Sequence, residues 1–215
     1  VLKIAFWRNK MRYLELKKYL KDFTVFSISD IERIDSNFHR RRLNEWQEKG
    51  YIKKIIKGYY IFTDLELNEN RLFEIANRIY KPSYISLEIA LSYYQLIPES
   101  VYTITSVSTR KTYKFTTQIA KFSYRSIKPS LYFRYNIIRY DNKHFKIASV
   151  EKAILDYFYL NTEIKTGSDF LSLRINKDVF LKSVNETKLH SLLEKFNQKS
   201  LKKRMSNFLE FIKDA

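Results

Sequence analysis

Arg40-Arg41-Arg42 is the one uninterrupted run of three arginines in the chain, and asparagines flank it at Asn37 and Asn44. Arg and Asn are the side chains that hydrogen-bond in pairs to the edges of guanine and adenine, and Arg also grips phosphate oxygens. Stepping 100° per residue from Leu43 puts Trp46, Arg42 and Phe38 on one side of a helix, with Leu43 at its border. Asn37, Arg40, Arg41 and Asn44 fall on the opposite side. A little further on, Lys53, Lys54 and Lys57 lie in a β-prone segment. The chemistry expected of this set is recognition of a polyanion. Asn37, Arg40, Arg41, Arg42 and Asn44 would enter a major groove, and Lys53, Lys54 and Lys57 would straddle a neighbouring phosphate or minor groove. Protein contact, RNA, or a helical packing module with solvated arginines stay open on the same residues. Which cations would read a base and which would hold a phosphate is also open.

These side chains need elements to hold them. Apolar residues from Lys10 to Leu20 recur at helical spacing. Phe23–Phe26 is a short β-prone run, and residues 27–34 read as a short helix capped by Ser27 or Ser29. Asp35-Ser36-Asn37 makes a turn before a longer helix over residues 38–49, which Gly50 ends. Residues 51–56 and 59–62 are β-prone runs joined across Lys57-Gly58, a hairpin signal. Helix, short strand, helix, turn, helix, hairpin is the order of a winged helix-turn-helix, with the second helix of the pair presented to DNA.

Past a polar boundary near Asp64–Asn70, a helix is expected over residues 69–79 and another over 86–94. Residues 101–106, 121–126 and 132–140 read as strands, and residues 147–158 as a helix capped by Ser149. The tail is helical over about 177–184, 186–196 and 201–212. The fold class expected is α+β: a winged helix-turn-helix over residues 1–66, then a mixed α/β domain with a helical C-terminal tail over residues 67–215. Residues 110–128 interleave Arg110, Lys111, Lys114, Lys121, Arg125 and Lys128 with aromatic residues. A second phosphate-contacting surface is one reading of them; a sheet with one buried aromatic face and one wet basic face is the other.

Composition limits what else the chain can do. Forty Lys and Arg against 23 Asp and Glu give a formal charge of +17 over 215 residues. Part of the lysine excess matches the bias of an AT-rich genome, so its distribution carries more than its sum. Residues 1–64 hold 15 basic and 8 acidic groups, a concentration that suits a polyanionic partner. With no cysteine there are no disulfides or thiolate metal sites. Three glycines cannot build a Walker loop, a dinucleotide fingerprint or a nucleophile elbow. No apolar run approaches the ~20 residues of a membrane span, and Val1-Leu2-Lys3 opens no leader pattern. A cytoplasmic protein without initiator Met, trimmed or processed, is the expectation.

No enzyme activity, cofactor or metal site is expected. His39, His144 and His190 are scattered, and none sits in a ligand-spaced pair. The acidic-x-Lys signature of metal-dependent nucleases occurs at Glu15, Asp141, Glu163 and Glu186, about as often as composition alone gives. Asp141 or Asp156 with Glu163 and Lys165 is the one order resembling a nuclease core. A nuclease delivered by the winged helix is therefore the competing enzyme class.

Residues 84–106, beginning Tyr84-Ile-Ser-Leu-Glu-Ile-Ala-Leu-Ser-Tyr-Tyr, and Ile147-Ala-Ser-Val-Glu-Lys-Ala-Ile-Leu-Asp156 together resemble the signature of the AbiEi-like antitoxin family of bacterial transcriptional regulators. Val150 stands where that family's helix usually starts with proline. The resemblance spans roughly residues 10–160 and implies a type IV toxin–antitoxin, abortive-infection operon. By that resemblance the N-terminal domain binds inverted repeats in the operon promoter as double-stranded DNA and represses it. The second domain would counter a nucleotidyltransferase-like toxin. Oligomeric state stays open, monomers binding cooperatively being one form, and a plain transcription factor without a toxin is the further alternative. Ser149, Glu151, Lys152 and Asp156 match the motif and read as a helix cap and surface charges.

Overall fold

A computed structural model describes residues 11–99 and 101–214. Lys10 at the start of the first expected helix, Ser100 within residues 84–106, and Val1–Lys3 lie outside the described residues. The described residues form a mixed α and β structure of ten helices and two sheets. None of these helices is long and apolar enough to cross a membrane. The chain divides into two compact units, the first ending at Asn68 and the second starting at Glu69.

The first unit runs α1 (Tyr13–Leu20), β1 (Phe26–Ser27), α2 (Ile28–Ile34), α3 (Arg41–Glu48), β2 (Ile52–Ile56) and β3 (Tyr59–Phe62). Ser27 is the cap of α2. Its Oγ accepts from the Asp30 amide at 3.2 Å, and Asp30 Oδ2 accepts from the Ser27 amide at 2.8 Å, a reciprocal capping box. Ser27→Ala is expected to cost about 1 kcal/mol, read as a lower urea midpoint at unchanged slope. Gly50 and Gly58, at φ +68° and +85°, take the left-handed conformations that end α3 and turn β2 into β3.

The three strands pair in the order β1-β3-β2, all antiparallel, with a bulge between Lys54 and Ile56. Leu16, Leu20, Phe26, Ile31, Phe38, Leu43, Trp46, Ile52, Tyr60 and Phe62 fill one core. Two local expectations are corrected. The helix expected over 38–49 begins three residues later, because Asp35 Oδ1 accepts from the Asn37 amide and the Asp35 carbonyl from the Phe38 amide. Those bonds hold Asn37 and Phe38 in turns, with Phe38 packed on Trp46 at 5.7 Å between ring centroids. The run 23–26 keeps only Phe26 in a strand, since the Phe23 amide closes a turn on the Leu20 carbonyl.

The second unit runs α4 (Glu69–Ile79), β4 (Ser83–Ile85), α5 (Glu88–Tyr93), β5 (Thr103–Ser108), β6 (Tyr113–Thr116), β7 (Lys121–Ser126), β8 (Tyr135–Tyr140), β9 (Lys143–Ala148), α6 (Val150–Leu160), α7 (Gly167–Ser172), α8 (Lys177–Ser183), α9 (Glu186–Phe196) and α10 (Lys199–Asp214). Its sheet has the order β6-β7-β5-β4-β9-β8. The β4–β9 and β5–β7 pairs are parallel and the others antiparallel. On one face α4 packs by Phe73 against Phe145, and Tyr124 donates its hydroxyl to the Ala76 carbonyl at 2.9 Å. Against the other face lies α6. Along β7, Phe122 and Tyr124 are buried while Lys121 and Arg125 alternate to the opposite side. The basic stretch is thus a sheet with an aromatic inner face. Ile147 and Ala148, expected in a helix, end β9 instead, and β4 occupies residues expected between two helices.

Candidate nucleic-acid interface

Arg41 opens α3 and Asn44 follows one turn later, so both project from one side of that helix; both are exposed. The start of α3 carries no side-chain cap and no acidic residue in its first turn. No acidic side chain of α3 itself therefore offsets the partial positive charge of its N-terminus, which suits an approaching phosphate. Lys53 and Lys54 on β2 and Lys57 in the hairpin turn are exposed as well. Successive strand residues point to opposite faces, so Lys53 and Lys54 leave the ribbon on its two sides. Arg41, Lys53, Lys54 and Lys57 take part in no ion pair among the described residues.

Three of the expected residues are placed differently from Arg41. Arg42 turns inward: its Nη1 donates to the Met11 carbonyl and its guanidinium lies 5.3 Å over the Trp46 ring. The i, i+4 spacing to Trp46 aligns the two along the core side of α3, where a cation–π contact holds the arginine. Grouping Arg42 with the groove-facing set is corrected on that ground. Arg40 lies before the first turn of α3 and donates through Nε and Nη2 to Glu32 Oε1 at 3.1 and 2.7 Å. Its charge is shared with α2, though the pair is solvent-exposed. Asn37 is exposed in the preceding turn and is not part of the helix.

A second polar constellation lies in the core of the other unit. Lys152 and Asp156, one turn apart on α6, are both fully buried and form an ion pair. Asp156 Oδ2 also accepts the hydroxyls of Tyr84 and Ser86, each at 2.9 Å, and Lys152 Nζ donates to the Tyr84 oxygen at 2.8 Å. The ammonium is boxed by rings, 5.1 Å from Phe196, 5.2 Å from Phe133 and 5.4 Å from Tyr84. Burial pushes the Lys152 pKa down and the Asp156 carboxyl up, each partner opposing the other's shift. Burial, then the Asp156 charge, pushes the Tyr84 phenol well above its ordinary range.

Reading Glu151, Lys152 and Asp156 as surface charges is therefore corrected. Ser149 does cap α6, its Oγ accepting from the Lys152 amide at 3.3 Å. Glu151 is buried too, accepting from Ser149 Oγ at 3.0 Å and from the Asn185 amide at 3.3 Å, which ties α6 to the start of α9. The missed signal is the i, i+4 Lys–Asp spacing inside a helix rich in apolar residues, a pair that can satisfy itself out of water.

Asp141 and Glu163 are exposed and Asp156 is consumed by its pair. Among the described residues no group of three or more His, Asp or Glu side chains is gathered that could hold a metal ion. Neither a family model nor a curated protein matches the chain.

Proposed function

We propose that the protein is a DNA-binding transcriptional autorepressor, and the antitoxin of a two-gene toxin–antitoxin operon. The first unit is read as a winged helix-turn-helix, with α2 and α3 as the helix pair and β2–β3 as the wing. The observation that carries this reading is the exposed, unpaired set Arg41 and Asn44 on α3, beside an uncapped helix start, with a lysine-bearing hairpin following in the chain. Side chains of these types fit base edges, and the helix start and Lys53, Lys54 and Lys57 fit the phosphates on either side. Arg40 joins them once its exposed pair with Glu32 exchanges for a phosphate. The partners are double-stranded promoter DNA carrying inverted repeats and a nucleotidyltransferase-like toxin, in the cytoplasm. The toxin partnership rests on the resemblance of residues 84–106 and 147–156 alone.

Fluorescence anisotropy on duplex DNA tests the electrostatics of this reading. Four phosphate contacts give a slope of about −3.6 in log K against log salt, so affinity falls about a hundredfold between 50 and 200 mM. An affinity indifferent to salt overturns it. Co-expression with the adjacent reading frame tests the toxin arm: relief of that protein's growth inhibition is expected, and unrelieved inhibition removes the antitoxin role while leaving the repressor.

A further inference from the structure

The charges of α3 run against its own dipole. Helices gain stability from acidic side chains in the first turn and basic ones in the last. Both are present in α1, α2, α4, α8 and α9, and one or the other in α5, α6, α7 and α10. Of the helices α1 to α10, α3 alone has neither. Its arginines stand at Arg41 and Arg42, and its glutamates follow at Glu45 and Glu48. A local rule broken in one helix, in a fold that otherwise keeps it, marks side chains whose use lies outside stability.

Glu45 lies four residues after Arg41, so the two share a side of the helix, with Asn44 on the same exposed face. Arg and Glu at this spacing commonly pair on a helix surface. Here neither Arg41 nor Glu45 takes part in an ion pair among the described residues. A carboxylate without its cation, on a face read as entering DNA, is repelled by the phosphates on either side. It is favoured only where it meets a donor. Guanine and thymine present acceptors in the major groove, and adenine an acceptor beside its amino group. Cytosine alone shows a donor and no acceptor, its N4 amino group, which is the partner Glu takes.

We propose that Glu45 is a specificity-determining residue that selects a C·G pair in the site bound by α3, an inference that rests on the DNA-binding reading of the first unit. It accepts from cytosine N4 and turns away the other three bases by setting its charge against their acceptors. Arg41 to Glu45 spans about 6 Å along the helix axis, close to two steps of about 3.4 Å between base pairs. Arg41 on guanine, Asn44 on adenine and Glu45 on cytosine thus fit about three neighbouring base pairs. Glu48 lies about 10 Å beyond Arg41, away from the helix start that meets base edges. It adds repulsion without readout, and serves as the control.

Selection from a random duplex library by the full chain tests it, followed by anisotropy on the recovered site and its single-base-pair variants. The wild type is expected to recover a site with a C·G pair whose replacement weakens binding about fivefold or more. Glu45→Ala is expected to lose the preference at that pair alone and to bind unrelated duplex more tightly, since a negative charge has gone. Glu45→Gln is expected to move the preference there from C·G to A·T, because Gln pairs with adenine N6 and N7. Glu48→Ala is expected to tighten binding to all sequences alike. Both glutamates are exposed, so the thermal transition is expected to stay in place in every variant. If the wild type enriches no sequence, the DNA-binding reading itself falls. A site that is enriched, with preferences that Glu45→Ala leaves unchanged at every position, overturns the role of Glu45 and leaves that reading standing.

Discussion

Lys152→Met is expected to destabilise the second unit by about 3–5 kcal/mol, the cost of removing one partner from a buried ion pair. Methionine fills the space of the lysine stem among Phe133, Phe196 and Tyr84, so little cavity is created. What remains is the Asp156 carboxylate, fully buried, held only by the hydroxyls of Tyr84 and Ser86. Adding Asp156→Asn to that variant removes the stranded charge and keeps an acceptor for both hydroxyls. The double variant is therefore expected to recover most of the loss. The two units can be followed apart: both tryptophans, Trp7 and Trp46, precede Asn68. Tryptophan fluorescence is expected to keep its unfolding midpoint while the circular dichroism of the remainder shifts to lower urea. A loss below about 1 kcal/mol is what a solvated surface pair gives, and it would contradict the buried pair.

The second large effect concerns α3. Arg41→Ala with Asn44→Ala is expected to weaken binding to the protein's own upstream DNA by about thirtyfold or more, since each paired base contact is worth about 1–3 kcal/mol. Binding to unrelated duplex should fall much less, so the preference itself collapses. Replacing Lys53, Lys54 and Lys57 by Ala should act differently, weakening all sequences alike and flattening the salt slope. Arg42→Ala separates structure from recognition. Its guanidinium serves the Met11 carbonyl and the Trp46 ring, so stability of the first unit falls while the preference among sequences holds. Intact preference in the Arg41, Asn44 variant would remove α3 from the interface.

The elements legible in the sequence are those whose signals are local. Gly50 and Gly58 mark a helix end and a hairpin turn because only a residue without a Cβ adopts positive φ there freely. The helix over Glu69–Ile79 shows its apolar stripe, and Lys121–Ser126 alternates with period two. The elements that were missed depend on distant partners. Ser83–Ile85 is three residues long and becomes a strand because β5 and β9 flank it. Ile147 and Ala148 look like the start of a helix until β4 and β8 pair with that segment.

The same division runs through the functional residues. Exposure of Arg41 and Asn44 follows from helical periodicity about Leu43. The inward turn of Arg42 needs Met11 from a segment 31 residues away, and the tie of Arg40 needs Glu32 from the neighbouring helix. Lys152 and Asp156 read as surface charges because charged residues are rarely fully buried unless paired. Here the i, i+4 spacing pairs them, and Tyr84 and Ser86 complete the set from 68 to 72 residues away.

Binding to the protein's own upstream DNA, measured across salt against a scrambled duplex of equal length and composition, tests the central claim most directly. Preference for the native fragment that persists near physiological salt is the result expected of a sequence-specific autorepressor. Equal and salt-labile binding to both duplexes would contradict it, reducing the +17 charge to a generic attraction for polyanions.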